Sequence, residues 1–236
     1  MPDQPQSYQQ THHRAVTAAH GTRTAEVDGA FILPHLQPHF KILDIGCGPG
    51  SITSGFARYV PQGQVTGIDL TTQVISEATE RLSQLTPPPT NVSFKTGNVL
   101  DGLDFPDASF DVVFCSQTLV HIVEPIKALQ EMKRVCKPGG FVAAREGDMP
   151  FRWVPYSRGL QLFNKYLYVM VMGDIGVDSE HPDNAPFKEG HRSGSLVHVW
   201  ARNAGFEPLK MVKGAKVSNV PVRTAYETLL TSYLDV

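Results

Sequence analysis

Glycines stand at 46, 48 and 50 in the stretch Leu43-Asp44-Ile45-Gly46-Cys47-Gly48-Pro49-Gly50-Ser51, after a short apolar run and before a segment of helical spacing. Such a turn lets a ligand lie against bare backbone, and it frees amide groups at a helix start, which favour a negatively charged group. The spacing is GxGxG rather than the GxGxxG of dinucleotide-binding turns, which sets a nicotinamide dehydrogenase aside. Asp69 closes the next apolar run. A carboxylate there can accept hydrogen bonds from both hydroxyls of a ribose; its other reading is a cap for a helix starting at Thr71 or Thr72. The glycine turn upstream favours the ribose.

Groups that could move a proton belong at the carboxyl ends of strands, where open α/β sheets bind ligands. His121 lies just past the fourth apolar run in LVHI, Glu146 and Asp148 follow the fifth in REGD, and His191 and Arg192 precede a later capped helix. His121 and Glu146 are the catalytic candidates. Against them, a histidine between apolar residues is commonly a satisfied structural one, Arg145 and Glu146 can pair with each other, and His191 can belong to a surface loop. The nine histidines are scattered, and Pro34 and Pro38 interrupt the helix that would bring His35 and His39 to one face, so no metal site is expected.

The elements that must position these residues alternate. KILDI (41–45), QVTGID (64–69), NVSFKT, FDVVFCS (110–116) and GFVAARE read as strands. The fourth is continuously apolar after Asp111, as in a parallel sheet covered on both faces. Between the strands lie helical segments: one with Ile52, Phe56 and Tyr59; one capped at Thr71 or Thr72 with Val74, Ile75, Ala78, Leu82 and Leu85 on a face; and one opening at Pro125 and closed by KPGG. The order implies parallel strands with right-handed crossovers, an α/β doubly wound sheet of about six or seven strands. Upstream, a helix is expected around TAEVDGAFILPHL, with Val27, Phe31 and Ile32 on one side. Residues 147–194 are irregular and aromatic, with a helix expected near 156–172, and are long enough to cover the site. A helix capped by Ser193 or Ser195 with Leu196, Val199 and Trp200 inward follows, then a strand in FEPLKMV.

The chain divides accordingly into an N-terminal helical cover (1–40), a ligand-binding core (41–146), a substrate lid (147–194) and a C-terminal completion of the core (195–236). Its 236 residues, 41% hydrophobic, are ample for a core without disulfides or metals. Lys+Arg 21 against Asp+Glu 23 gives a formal net charge of −2, with no global positive field to hold nucleic acid or an anionic membrane surface. Cys47, Cys115 and Cys136 form no CxxC pair, which points to free thiols in a reducing compartment. The N-terminus has no signal-peptide pattern, and the longest apolar run, Tyr166 to Met172, is far too short for a membrane span. A cytoplasmic protein with a small-molecule substrate is expected.

The motifs in order resemble those of the class I S-adenosylmethionine-dependent methyltransferases, in their ubiquinone/menaquinone-biosynthesis-like small-molecule branch. ILDIGCGPGSIT is similar to that family's first motif, GIDLT to its acidic second, GNVLDGLDFPDASFDVVFCSQTLVHI to the third and fourth, and LQEMKRVCKPGGFVAARE to the run into the fifth strand. The resemblance covers about residues 40–146 and implies a Rossmann-like core. It implies that Asp44, Gly46, Cys47, Gly48 and Gly50 approach the methionine part of the cofactor, that Asp69 holds the ribose, and that Leu70 packs on the adenine. Asn98 would meet the adenine amino group, where many relatives carry Asp, and Val99 its ring face. Ser116 and Gln117 would lie by the methionine and the reactive sulfonium. The opening segment with Arg23 and Thr24 is similar to the part that closes over the cofactor; its plainer reading is a surface cation and a helix cap.

The implied activity is transfer of a methyl group from S-adenosylmethionine to a small organic acceptor, secondary-metabolite or quinone-like, by in-line displacement, leaving S-adenosylhomocysteine. The same motifs would serve a cyclisation or dehydration on this cofactor site, or a non-catalytic binding subunit. One departure from the family concerns the end of the chain. The family closes with an antiparallel hairpin, whereas TAYETLLTSYLDV reads as a helix, leaving the last strand either to Lys216–Val220 or absent.

Overall fold

The computed structural model describes residues 22–147, 157–159, 161–163, 166, 193–216 and 229–235. Strands β1 (Lys41–Ile45), β2 (Gln64–Asp69), β3 (Val92–Thr96), β4 (Phe110–Ser116), β5 (Cys136–Gly147), β6 (Met211–Lys216) and β7 (Leu229–Asp235) form one sheet in the order β3-β2-β1-β4-β5-β7-β6. The pairs from β3 through β5 are parallel, and β7 runs antiparallel to both β5 and β6. The order turns back at β1 and β4, so the chain leaves their carboxyl ends in opposite directions and a crevice opens there.

Among the described residues the helices that serve the sheet are α1 (Ala25–Asp28), α2 (Ser51–Phe56), α3 (Thr72–Ser83), α4 (Pro125–Val135) and α5 (Ser193–Asn203). Alternation along the strands divides the core. Ile42, Val112, Phe114, Phe141 and Ala143 pack with Ala25, Ile32, Ile52 and Phe56, on the side of α1 and α2. Leu43, Ile45, Val113, Cys115, Val142 and Ala144 pack with Leu129, Met132, Val197 and Trp200, on the side of α4 and α5. Both faces are covered, which is why β4 reads as unbroken apolar sequence.

Thr71 caps α3 by accepting from the Val74 amide, and Pro125 opens α4, as the sequence suggests. KPGG does close α4, but it does so inside β5. The β4 register runs from Phe110 opposite Cys136 to Val112 opposite Phe141, so these residues bulge out between the two pairings.

Four expectations are corrected. The N-terminal helix lasts one turn: Thr24 accepts from the Val27 amide while its own amide donates to Asp28 (2.9 Å), and Gly29 ends the helix. Its buried face is Ala25 and Asp28, and Val27 is exposed. The inward face of α5 is Val197, Trp200 and Ala201, one residue out of phase with Leu196 and Val199. In FEPLKMV, Pro208 opens a 3-10 turn (Pro208–Lys210) and the strand starts only at Met211. The C-terminal segment is strand β7 rather than a helix, each backbone edge being paired. Good helix formers there are overridden by a slot between β5 and β6 that supplies ladder partners to both edges.

The expected cover at 147–194 lies for the most part outside the described residues, as do Asp148, His191 and Arg192. No helix among the described residues is long and apolar enough to cross a membrane.

Candidate functional site

At the end of β1 the amides of Gly46 and Cys47 both donate to the Ile68 carbonyl (2.9 and 3.0 Å), which folds the glycine turn against β2. Gly46, Gly48 and Gly50 have φ of +69°, +52° and +75°, so each sits where a side chain is strained. Their surroundings differ. A Cβ on Gly46 would come within 2.5 Å of the Thr118 side chain, and one on Gly50 within 2.5 Å of the Phe94 ring. A Cβ on Gly48 would meet no atom of the described residues within 4 Å. Two glycines therefore serve packing, and Gly48 is the place where a ligand can approach the backbone.

Asp69, at the tip of β2, accepts from the Gly48 amide through Oδ2 (2.9 Å) and from the Leu70 amide through Oδ1 (2.8 Å). Each oxygen keeps a lone pair for a further donor such as a hydroxyl. Thr71 caps α3 in place of Asp69, which leaves the acid to the glycine turn. Leu70 beside it is 41% exposed, an apolar surface next to the carboxylate. Asp44 is buried, and Thr53 of α2 donates to it at 2.6 Å. Burial pushes its carboxyl up to about 7, and the nearby Asp69 charge adds to the rise. Burial and the same two carboxylates push the Cys47 thiol well up, so it stays neutral. Two acids flank the turn and one of them holds the Gly48 amide. The Asp69 carboxylate on the Gly48 amide thus favours a cationic group, against the anion that the free amides suggested.

Beyond β3, Asn98 folds back on its own loop: its Oδ1 accepts from the Leu100 amide (3.0 Å) and its Nδ2 donates to Asp101 (2.9 Å). Val99 is buried with the β1 and β4 apolar residues. Arg134 of α4 bonds the carbonyls of Leu103 and Phe105 and pairs with Asp107 and Glu131, fixing the loop that leads away from Asn98.

The carboxyl ends of β4 and β5 meet beside the glycine turn. Ser116 is buried, with Arg145 Nη1 3.4 Å from its hydroxyl. Gln117 has φ +54°, donates its amide to the Arg145 carbonyl (2.8 Å), and has a buried Nε2 with no hydrogen-bond partner among the described residues. Arg145 and Glu146 do not pair, because successive side chains of a strand face opposite ways. Arg145 forms a buried ion pair with Asp28 of α1 (3.1 Å), tying the segment that begins at Thr24 to the sheet. Glu146 is 0% exposed and accepts from the amides of Thr118 (2.9 Å), Leu119 (2.8 Å) and Val120 (3.4 Å) and from the Ser193 hydroxyl (3.3 Å). Burial pushes it up to about 7 against the pull of those donors. His121 ends the following 3-10 turn and is exposed.

The structure thus brings together Asp44, Gly46, Cys47, Gly48, Gly50, Asp69, Leu70, Ser116 and Gln117 around the crevice, with Asn98 and Val99 at the neighbouring strand end. Sequence reasoning missed Asp28, Thr118 and Ser193 as partners of charged groups. Asp28 carried a faint signal, an acid four residues after a helix-capping Thr24. Thr118 carried none, since its contacts to Ile45 and Glu146 are remote in sequence. Among the described residues no group of three or more His, Cys, Asp or Glu could hold a metal ion.

The methyltransferase domain family matches residues 36–171. A protein of Aspergillus luteorubrus named as a probable methyltransferase is 41% identical over 149 residues, 61% of this chain and 52% of that protein. A demethylmenaquinone methyltransferase of Symbiobacterium thermophilum is 32% identical over 118 residues, 50% of this chain and 46% of that protein. The chain thus spans about half the length of the curated relatives it matches. Among solved structures, a SAM-dependent methyltransferase from Aquifex aeolicus is similar in fold, with a TM-score of 0.62 at 19% identity over 95% of this chain and 99% of that one.

Proposed function

The chain belongs to the methyltransferase domain family, and from that premise we propose that it transfers a methyl group from S-adenosylmethionine to a small organic acceptor. The observation that carries the reading is the join of the glycine turn to Asp69, with Gly48 open toward the crevice and its amide on the Asp69 carboxylate. The residues fit a nucleoside bearing a cationic amino-acid arm. Asp69 has lone pairs for ribose hydroxyls and puts negative charge beside the turn, and Leu70 offers an apolar face to a base. Gln117 presents a buried amide donor with no partner among the described residues, which a ligand oxygen would satisfy.

When bound, S-adenosylmethionine supplies a methyl group on a sulfonium, a leaving group that needs no protonation. The residues have correspondingly little proton transfer to perform, and holding donor and acceptor in line is their main task. The glycine turn and the 116–120 segment fix the donor side. Asn98 and Val99 bound the base side, and the one-turn helix α1, fastened through Asp28 to Arg145, covers the site from the N-terminal direction. Residues 147–194 supply the acceptor-facing cover in this reading. His121, exposed just past β4, is the base in this reading for a hydroxyl or acidic-carbon acceptor. Glu146, with no exposed surface, is unsuited to receive a substrate proton. A cytoplasmic location and a quinone-like or secondary-metabolite acceptor complete the proposal.

The test is a cell extract incubated with the protein and deuteromethyl-labelled S-adenosylmethionine, searched by mass spectrometry. A labelled small molecule formed one-to-one with S-adenosylhomocysteine is expected. A product lacking the label, with the cofactor recovered intact, would overturn methyl transfer in favour of another reaction.

A further inference from the structure

Five consecutive residues after the body of β4 are held by two consecutive residues of β5. Arg145 reaches the Ser116 hydroxyl with its side chain and the Gln117 amide with its carbonyl. Glu146, on the other face, takes the amides of Thr118, Leu119 and Val120. The turn so held is bent: Gln117 is one of two described non-glycine residues with positive φ, a conformation that persists only where the surroundings enforce it.

Thr118 carries the constraint onward. Its hydroxyl lies 3.1 Å from the carbonyl of Ile45, the last residue of β1, and 3.2 Å from that of Ser116, sharing its one proton between them, and its side chain fills the space where a Gly46 Cβ would lie, 2.5 Å from both Cγ2 and Oγ1. The glycine turn therefore rests on Thr118, and Thr118 rests on Glu146. A third support comes from α5, whose Ser193 hydroxyl lies 3.3 Å from Glu146 Oε2 and 3.1 Å from the Gly147 carbonyl.

We propose that Glu146 is a positioning residue for the cofactor turn: acting through the Thr118 backbone, it holds Gly46 and Cys47 where the donor's amino-acid arm is to bind. This rests on the cofactor reading above, and it replaces the acid–base role the sequence suggested for Glu146 with one exerted through another residue. Thr118 is the link, and Glu146 touches neither donor nor acceptor.

The test uses Glu146→Gln, Thr118→Val, the double variant and Thr118→Ser, with S-adenosylhomocysteine titrated by calorimetry and amide hydrogen exchange followed on the ligand-free proteins. Glu146→Gln keeps the shape but puts an amide where one acceptor oxygen was; Thr118→Val keeps the shape but removes the bond to Ile45. Each single change is expected to weaken binding by about tenfold, the scale of one lost hydrogen bond to a charged or buried group. The double variant should be no weaker than about tenfold, because both break the same support. Thr118→Ser should bind within about twofold of the wild type, since its hydroxyl remains. Exchange at the Gly46 and Cys47 amides, which bond Ile68 and not Glu146, should quicken in Glu146→Gln. Wild-type affinity in Glu146→Gln, or losses that multiply in the double variant, would overturn the proposal. If the wild type itself does not bind, the cofactor reading falls and exchange decides the support: faster at Gly46 and Cys47 sustains it, unchanged overturns it. Should Glu146→Gln not fold, unchanged exchange at Gly46 and Cys47 in Thr118→Val overturns it equally.

Discussion

Asp44 and Glu146 are buried carboxyls on neighbouring parts of one sheet, pushed up from 3.8 and 4.5 respectively to about 7. In each case burial is the largest cause. A carboxyl that holds its proton more tightly when folded contributes stability that is complete below its unfolded value and is lost as pH rises through the folded one. The window here runs from about 4 to about 7. The ligand-free protein is therefore expected to melt at a lower temperature at pH 8 than at pH 6. Asp44→Asn should flatten that fall and raise stability at pH 8 by roughly 1–3 kcal/mol, because the buried charge is gone while Thr53 keeps an oxygen to donate to. Thermal melts of both proteins across this range check it; an equal fall in the variant would contradict the assignment to Asp44.

The three glycines of one turn are not equivalent, and their elements explain why. The Phe94 ring of β3 is wedged between Gly50 and Gly67, so it cannot swing aside for a new methyl at position 50. Gly50→Ala should cost about 1–3 kcal/mol of stability from overpacking, besides the backbone strain. Gly48→Ala meets open space and should cost only about 1 kcal/mol from its positive φ. It should nevertheless weaken S-adenosylhomocysteine binding by at least about tenfold, since the methyl stands where a ligand would touch backbone. Melting temperature and affinity measured together separate the two roles. The spacing GxGxG showed that a bare turn was needed but not which glycine faced outward, since that depends on Thr118 and Phe94, distant in sequence. Strands β1 to β4 were legible because an apolar run closed by glycine or a polar residue is a local signal. Their partner Asp69 was legible for the same reason. The partners of the β5 charges were not: the Asp28–Arg145 ion pair and the Ser193 hydroxyl on Glu146 join elements remote in sequence, and only Asp28, four residues after Thr24, left even a faint local trace.

At the scale of the molecule, the sheet is parallel from β3 to β5 and then finishes with an antiparallel strand seated between two others. Composition favoured a helix for that last segment, and only the two waiting strand edges decide otherwise. Deleting residues 229–235 should bare the β5 edge from Phe141 to Gly147 and leave β6 without a neighbour. Aggregation is the expected result, seen as loss of the monodisperse peak in size-exclusion chromatography. A deletion variant that stays soluble, with unchanged exchange at β5, would count against this sheet order. β5 carries Arg145 and Glu146 near its carboxyl end, so the strand that β7 completes is the one that braces the site from both faces. The claim on which the whole account turns is that the join of Gly48 to Asp69 holds the adenosyl donor. Isothermal calorimetry with S-adenosylhomocysteine tests it most directly. The account predicts one-to-one binding by the wild type in the range of about 1–100 μM and a loss of at least about tenfold in Asp69→Ala. No binding by the wild type at about 1 mM, or an unchanged affinity in Asp69→Ala, would contradict it.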